Sequence, residues 1–356
     1  MNILICDATP HWSGGANRIL LYSKELTKRG HTVTVCCLPG SGLSNRLPKE
    51  NIQTSTIDPN SDFNLFIIPE LIRLIRDNKI DAVDICSPKF YWVASLAARL
   101  TRRKVILTRN VPYRKKGLKK YINRILYYKL VDRIVAVSDK IKRELIEDFR
   151  IAEKKISVIY DGIEIERFTG TNAEPCSIKN EKYVAAVVSR LDPNKGLECF
   201  ITAIPEIVKT ISTVHFILVG TGSIEPQLKE LAKKLKVDNR ITFTGFRQDI
   251  PEILCGVDVT IMPSPEEGMS MSALESMASS KPVVATSGCG LVDIIVNNIS
   301  GIIVKPDNSH ELAAGVISLL QSDYKKIGME ARKIVEEKFA LQKVVNHYES
   351  MVNELT

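Results

Sequence analysis

Metal-binding chemistry is the first thing this sequence is short of. Its five histidines, His11, His31, His215, His310 and His347, lie far apart with no ligand spacing. No Asp-x-Asp is present to hold a catalytic divalent ion. Neither a metal nor a resident cofactor is therefore expected. Eight cysteines occur singly, apart from Cys36 and Cys37, and none forms Cys-x-x-Cys. That excludes a redox motif or a disulfide scaffold and predicts reduced, buried thiols in a cytoplasmic protein. Apolar runs such as Tyr183–Val188 fall far short of the ~18 residues that span a bilayer. The opening Met1–Asp7 lacks a basic region ahead of its apolar residues and reads as a first strand, not a secretion signal.

What is present is the balance of a globular enzyme, 44% hydrophobic and 25% charged, at a length of 356 residues that suits two domains. Short apolar runs alternate with amphipathic stretches. Strands are expected at Asn2–Asp7, Thr32–Cys37, Asp81–Cys86, Lys104–Thr108, Asp132–Ser138 and Ser157–Tyr160. A second set follows at Tyr183–Val188, His215–Val219, Ile241–Thr244, Val257–Met262, Pro282–Ala285 and Gly301–Val304. Between them, Leu65, Ile68, Leu71, Ile72 and Ile75 recur at helical spacing and predict a helix over 64–78. This alternation predicts an α/β fold with two doubly wound, Rossmann-like domains and ligands at the strand C-terminal ends, facing an interdomain cleft. The boundaries read as 1–168, a polar Gly- and Pro-bearing linker over 169–181, a second domain over 182–338, and a last helix within 339–356 that crosses back to the first domain.

The most informative stretch is Pro263-Ser264-Pro265-Glu266-Glu267-Gly268-Met269-Ser270-Met271, continued by Ser272-Ala273-Leu274-Glu275. It reads as strand end, glycine turn and helix start. Backbone N–H groups of a first helical turn lack intrahelical partners and attract anions. Those near Gly268, Met269, Ser270 and Met271 are candidate phosphate donors. Glu267 and Glu275 flank the turn and suit a ligand with hydroxyls as well as phosphate. Were both on one helix they would stand about 12 Å apart. Hydrolytic carboxylate pairs need about 5–9.5 Å, so separate roles fit better than a glycosidase dyad. A purely structural alternative for Glu275 is a capping box with Ser272.

This stretch resembles the Glu-x7-Glu signature of the retaining nucleotide-sugar glycosyltransferases of family 4 (group 1). The resemblance implies a GT-B architecture, with Glu267 facing the donor sugar and Glu275 the ribose. Ser189-Arg190-Leu191-Asp192-Pro193-Asn194-Lys195-Gly196 is similar to the family's Gly-Arg-Leu…Lys-Gly element, with Ser189 in place of glycine. Arg190 and Lys195 would then stabilise the departing diphosphate, where a planar fork and a point charge are both effective. A solvated surface turn is the plain alternative. Gly220-Thr221-Gly222 and Gly245-Phe246-Arg247 also recur in the family, placing Gly220 and Arg247 on the donor side.

In the first half, Pro10-His11-Trp12-Ser13-Gly14-Gly15-Ala16-Asn17-Arg18 follows the opening strand. The resemblance puts Gly15 near the donor phosphate, and Gly14 and His11 on the acceptor side. Asn110 stands where the family often has histidine, so a proton-transfer role there would be lost while hydrogen bonding stays open to it. Asp161-Gly162-Ile163-Glu164-Ile165-Glu166-Arg167-Phe168 resembles a junction element, and Asp293 takes the place of a glutamate after Gly288-Cys289-Gly290.

The net charge of +8 is concentrated. Arg99–Lys129 holds twelve Lys or Arg and no acid, which leaves −4 for the rest. Within it, Leu118, Tyr121, Ile122, Ile125 and Leu126 recur at helical spacing, with Lys119, Lys120 and Arg124 opposite. Such a helix can lie on an anionic membrane, or simply pack on a core with a solvated outer face. Nucleic acid is not expected, since no recognition motif accompanies the charge.

Together these features imply transfer of a sugar from a UDP- or GDP-linked donor to a glycan or lipid-linked acceptor of the cell-surface polysaccharide or lipopolysaccharide type, at the cytoplasmic face of a membrane. Two rivals remain at this point. One is a nucleotide-responsive docking protein without transferase activity; the other is a nucleotide-sugar epimerase of similar fold.

Overall fold

The computed structural model describes residues 1–111, 118–169 and 182–355. The chain divides into two compact units, Met1–Gly162 with Leu341–Thr356, and Ile163–Ala340. Most of the expected linker, 170–181, lies outside the described residues. Ile163–Phe168, expected in the first domain, groups instead with the second unit.

The first unit holds strands β1 (Asn2–Cys6), β2 (Thr32–Cys37), β3 (Gln53–Thr56), β4 (Ala82–Ile85), β5 (Lys104–Arg109), β6 (Arg133–Ala136) and β7 (Ile156–Val158). Its helices are α1 (Gly14–Lys28), α2 (Gly42–Arg46), α3 (Ile68–Asp77), α4 (Tyr91–Leu100), α5 (Leu118–Lys129) and α6 (Asp139–Phe149). All strand pairs are parallel, in the order β3-β2-β1-β4-β5-β6-β7, with Ile3 opposite Ala82 across the β1–β4 step. The expected helix over 64–78 starts later, at Ile68. Leu65 lies in a preceding 3-10 turn and is exposed, while Leu71 and Ile75 are fully buried.

The second unit holds β8 (Tyr183–Val188), β9 (Val214–Val219), β10 (Ile241–Gly245), β11 (Val259–Met262), β12 (Val283–Thr286) and β13 (Gly301–Val304). Its helices are α7 (Leu197–Thr210), α8 (Glu225–Lys234), α9 (Ile250–Cys255), α10 (Met271–Ala278), α11 (Ser309–Gln321) and α12 (Tyr324–Lys338). The strand order β10-β9-β8-β11-β12-β13 is the doubly wound pattern. β8 shows why its sequence is apolar at every position. Ala185 and Val187 enter one core, Val184 and Ala186 the other, so both faces of the strand are covered.

A final helix, α13 (Leu341–Asn353), belongs to the first unit. Leu341, Val344, Val345, Tyr348, Met351 and Val352 recur at helical spacing and are buried in the core formed with α1, β1 and β2. The outgoing and returning segments lie side by side, with Ile163 bridging Ala340.

Candidate functional site

Each sheet reverses its strand order beside its first strand, and such a switch point is where an open α/β sheet receives a ligand. In the second unit the reversal falls between β8 and β11, which pair with Val259 opposite Ala185. The loops leaving these strands carry Lys195 and Glu267. They approach closely because residue 196 is glycine: φ is +65°, and an added Cβ would stand 2.1 Å from the Pro263 carbonyl oxygen. Lys195 Nζ then lies 2.8 Å from Glu267 Oε1, with the two side chains only 16% and 21% exposed.

The loop carrying Glu267 is braced from the β12 side. The Glu267 N–H donates to the Gly288 carbonyl at 3.3 Å, and the Gly290 N–H donates to the Glu267 carbonyl at 3.0 Å. A Cβ at Gly288 would fall 1.7 Å from the Pro265 oxygen, so this brace tolerates no side chain. The side chain of Asp293 lies outside the described residues.

Gly268, Met269 and Ser270 are buried, and α10 begins at Met271. Its first backbone bond runs from Leu274 N–H to the Ser270 carbonyl, 3.2 Å. Among the described residues no side chain caps this end. Ser270 Oγ is bonded to Ser272 Oγ at 3.1 Å instead. The amides of the first turn, with the helix dipole behind them, are thus disposed to hold an anion. The capping box considered for Glu275 is not made. With Ser270 at the N-cap, Glu275 sits more than a turn into the helix and cannot reach back. Glu267 precedes the helix, so the two acids do not share one.

Glu275 is partly exposed as a residue, yet burial of its carboxyl pushes it up to about 7, opposed by the charge of Arg167. Arg167 comes from the junction segment, whose other acid-bearing end, Asp161, lies in the first unit. Arg190 and Arg247 are more exposed and held by sequence neighbours. Arg190 pairs with Asp192 at 2.8 Å, and Arg247 Nε donates to Asp249 at 2.8 Å. Gly220 laces the loops together, its N–H donating to the Gly245 carbonyl at 2.9 Å, while Leu191 N–H donates to Thr221 at 2.9 Å. Glu267, Lys195, the α10 start, Arg190, Gly220 and Arg247 therefore all lie at the C-terminal ends of one sheet's strands.

In the first unit, Ser13 caps α1 by accepting from the Ala16 N–H at 3.2 Å. A Cβ on Gly15 would lie 3.3 Å from Asn110 Nδ2, so the turn after β1 and the end of β5 meet. Asn110 Oδ1 is buried with no hydrogen-bond partner among the described residues. His11 and Gly14, close to Gly15 in sequence, are exposed.

Sequence reasoning missed a buried charged cluster. Arg18 Nε lies 3.0 Å from Asp161 Oδ1, and its guanidinium stacks 4.1 Å from the Tyr22 ring centre. Burial pushes Asp161 up to about 6 against the pull of Arg18, and raises Asp84 as well. Asp84 accepts from Thr108 at 2.7 Å and from Tyr348 of α13 at 2.8 Å. The only signal in sequence was a charged residue at an apolar position of α1, which needs the strand order to interpret.

The basic segment is also rearranged. Asn123, Leu126 and Tyr127 face inward on α5, whereas Tyr121, Ile125 and Tyr128 are exposed at 66%, 56% and 44%. The helix is turned this way because Tyr127 accepts from buried Arg109 at 2.8 Å and packs edge-on against Phe149. Arg99 pairs with Asp132 and Lys120 with Asp148. Arg114, Lys115 and Lys116, and the side chains of Leu118 and Lys119, lie outside the described residues. Among the described residues no helix is long and apolar enough to cross a membrane.

Comparison with known proteins meets this geometry in both units. The family model described as Glycosyl transferases group 1 matches residues 182–322, and that described as Glycosyltransferase Family 4 matches residues 12–167. An uncharacterized glycosyltransferase of Methanocaldococcus jannaschii is 30% identical over 221 residues, 58% of this chain and 56% of that protein. The chain thus spans little more than half the length of that relative. The UDP-Gal:alpha-D-GlcNAc-diphosphoundecaprenol alpha-1,3-galactosyltransferase of Escherichia coli is 25% identical, covering 66% of this chain and 65% of its own. A glycosyltransferase crystal structure from Rickettsia africae superposes with a TM-score of 0.87 at 29% identity, over 99% of this chain and 98% of that one. With one model on each doubly wound unit and the two-glutamate turn seated at a switch point, the chain belongs to the group 1, family 4 glycosyltransferases.

Proposed function

We propose that this protein transfers a sugar from a nucleoside diphosphate donor to a glycan or lipid-linked acceptor, with retention at the anomeric carbon. The observation that carries the reading is the Lys195–Glu267 pair at the β8–β11 switch point, beside the uncapped start of α10. In this scheme the α10 amides and Lys195 hold the diphosphate, Arg190 exchanges its exposed contact with Asp192 for a phosphate oxygen, and Glu267 receives sugar hydroxyls. Glu275 binds the ribose, and Arg247 and Gly220 line the donor side. Negative charge grows on the departing diphosphate, so these donors act most strongly in the transition state. With no second carboxylate placed as nucleophile among the described residues, attack comes from the same face as departure, and the leaving phosphate takes the acceptor's proton. The donor is a co-substrate, and the chain carries no Asp-x-Asp to hold a divalent ion for the step. In the first unit, Gly14, His11 and Asn110 serve the acceptor, and Gly15 the donor phosphate.

A relative and the surface support the acceptor and the location. The Escherichia coli enzyme's name specifies UDP-galactose and a diphosphoundecaprenol acceptor. On α5, exposed Tyr121, Ile125 and Tyr128 are interleaved with exposed Arg124 and Lys129, a match for an anionic bilayer on the cytoplasmic side. Each basic residue near such a surface contributes about 1 kcal/mol. No contact described above favours a docking protein without activity, or an epimerase.

The test is a panel of UDP- and GDP-sugars incubated with membrane extracts, with mass detection of product. Sugar addition to a lipid-linked glycan is the expected result. Sugar conversion without an acceptor, or nucleotide binding with no turnover for any pairing, would overturn the reading. Sedimentation with phosphatidylglycerol vesicles, weakened by salt and by Tyr121→Ser with Ile125→Ser, tests the membrane contact. Equal binding to phosphatidylcholine vesicles would remove it.

A further inference from the structure

The cation assigned to the diphosphate already has an anion. Lys195 and Glu267 are in contact at 2.8 Å, both about four-fifths buried, and the Glu267 backbone is fixed on two sides by Gly288 and Gly290. Gly196 fixes the other loop against Pro263. Both loops are thus braced where these side chains leave them, so a change of rotamer is the simplest way to part the pair. From this geometry we infer that Glu267 is a specificity gate, occupying Lys195 in place of phosphate and releasing it only to a ligand that gives Glu267 something in return.

The gate rests on the proposed donor site and decides which ligands can displace Glu267 from Lys195. A diphosphate entering between the α10 amides and Lys195 draws the ammonium away and leaves the Glu267 carboxylate beside new negative charge. A sugar-bearing donor compensates by offering hydroxyl donors to that carboxylate. A bare nucleoside diphosphate has only its ribose hydroxyls, which go to Glu275, so at Glu267 it meets a partly buried carboxylate that has lost its only described cation. The same residue that receives the sugar therefore disfavours the spent nucleotide. Product leaves because Glu267 recaptures Lys195 as the sugar goes.

The experiment is titration calorimetry of the full chain with UDP and GDP against UDP-glucose and GDP-mannose, in wild type, Glu267→Gln and Glu267→Ala. Melting curves report folding of each variant. For the nucleotide that binds, both variants are expected to bind the bare diphosphate roughly tenfold tighter than wild type, about 1.4 kcal/mol. Their preference for the sugar-bearing form should collapse. Lys195→Met in the same series should weaken both ligands and abolish the gain from Glu267→Gln. Unchanged or weaker diphosphate binding in Glu267→Gln and Glu267→Ala overturns the gate, since Lys195 would then be serving both anions at once. If neither wild type nor any variant binds a nucleoside diphosphate or its sugar, the donor reading itself falls, and the gate with it.

Discussion

Two sheets wound in the same order use their charges in opposite ways. In the first unit, Arg18, Asp161 and Asp84 are almost wholly buried and locked to Tyr22, Thr108 and Tyr348, so the polar groups tie helix to sheet. In the second, Arg190, Lys195, Glu267 and Arg247 sit on loops at strand ends, partly exposed and paired in contacts that a ligand could replace. The helix starts differ as well. α1 has its cap bond from Ser13, while α10 lacks one from Ser270. One topology thus supports both a fixed polar cluster and an exchangeable one. What separates them is whether the charges point between sheet and helix or leave the sheet at its switch point.

The comparison can be broken first at its most buried point. Arg18→Ala strands Asp161 and should destabilise the first unit by about 3–5 kcal/mol, as for other broken buried pairs. Calorimetric melting measures it, and a loss under 1 kcal/mol would show the cluster is not locked. Next, Glu267→Gln and Lys195→Ala should each lower turnover by about 10²–10³ or more with the fold intact and a smaller loss of stability than Arg18→Ala, since this pair is less deeply buried. Near-normal turnover in either removes that residue from the site.

A third prediction concerns pH. Glu275 is pushed up to about 7 in the fold, well above an unfolded glutamate. Between those values the folded state keeps a proton that the unfolded state has lost, so stability falls as pH rises through that window. Glu275→Gln should remove this slope, gaining on the order of 3 kcal/mol at pH 8 and little at pH 4. Melting temperatures of the two proteins across that range would show it; parallel curves would mean the carboxyl is not buried. The smallest contrast is at the caps. Ser13→Ala should cost about 1 kcal/mol and Ser270→Ala a few tenths, because only the first makes the cap bond. Equal losses would erase the difference between the helix starts.

How far these features could be read from sequence depends on whether they are local. β2, β8 and β13 fall at the expected residues because apolar, β-branched runs mark strands buried on both faces. β3 escaped, since Gln53–Thr56 is a polar edge strand with no apolar residue to signal it. The Glu267 turn was legible as a glycine between a strand and a helix. Its pairing with Lys195, 72 residues away, was not, because it depends on β8 and β11 lying side by side. The capping box at Ser272 failed for a local reason: the helix begins at Met271, and Ser270 supplies its N-cap backbone. On α5 the spacing was right but the rotation was not, since a buried tyrosine bonded to Arg109 outweighed the hydrophobicity of Ile125.

The return of α13 to the first unit sets an order of events during synthesis. Tyr348 and the apolar face around it are translated only after every strand of the second unit has emerged. Until then Asp84 lacks one of its two hydroxyl donors and the core between α1 and the sheet lies open. The half of the chain that is made first is therefore the half that finishes folding last, and a nascent chain halted before Leu341 would expose that core to chaperones and proteases.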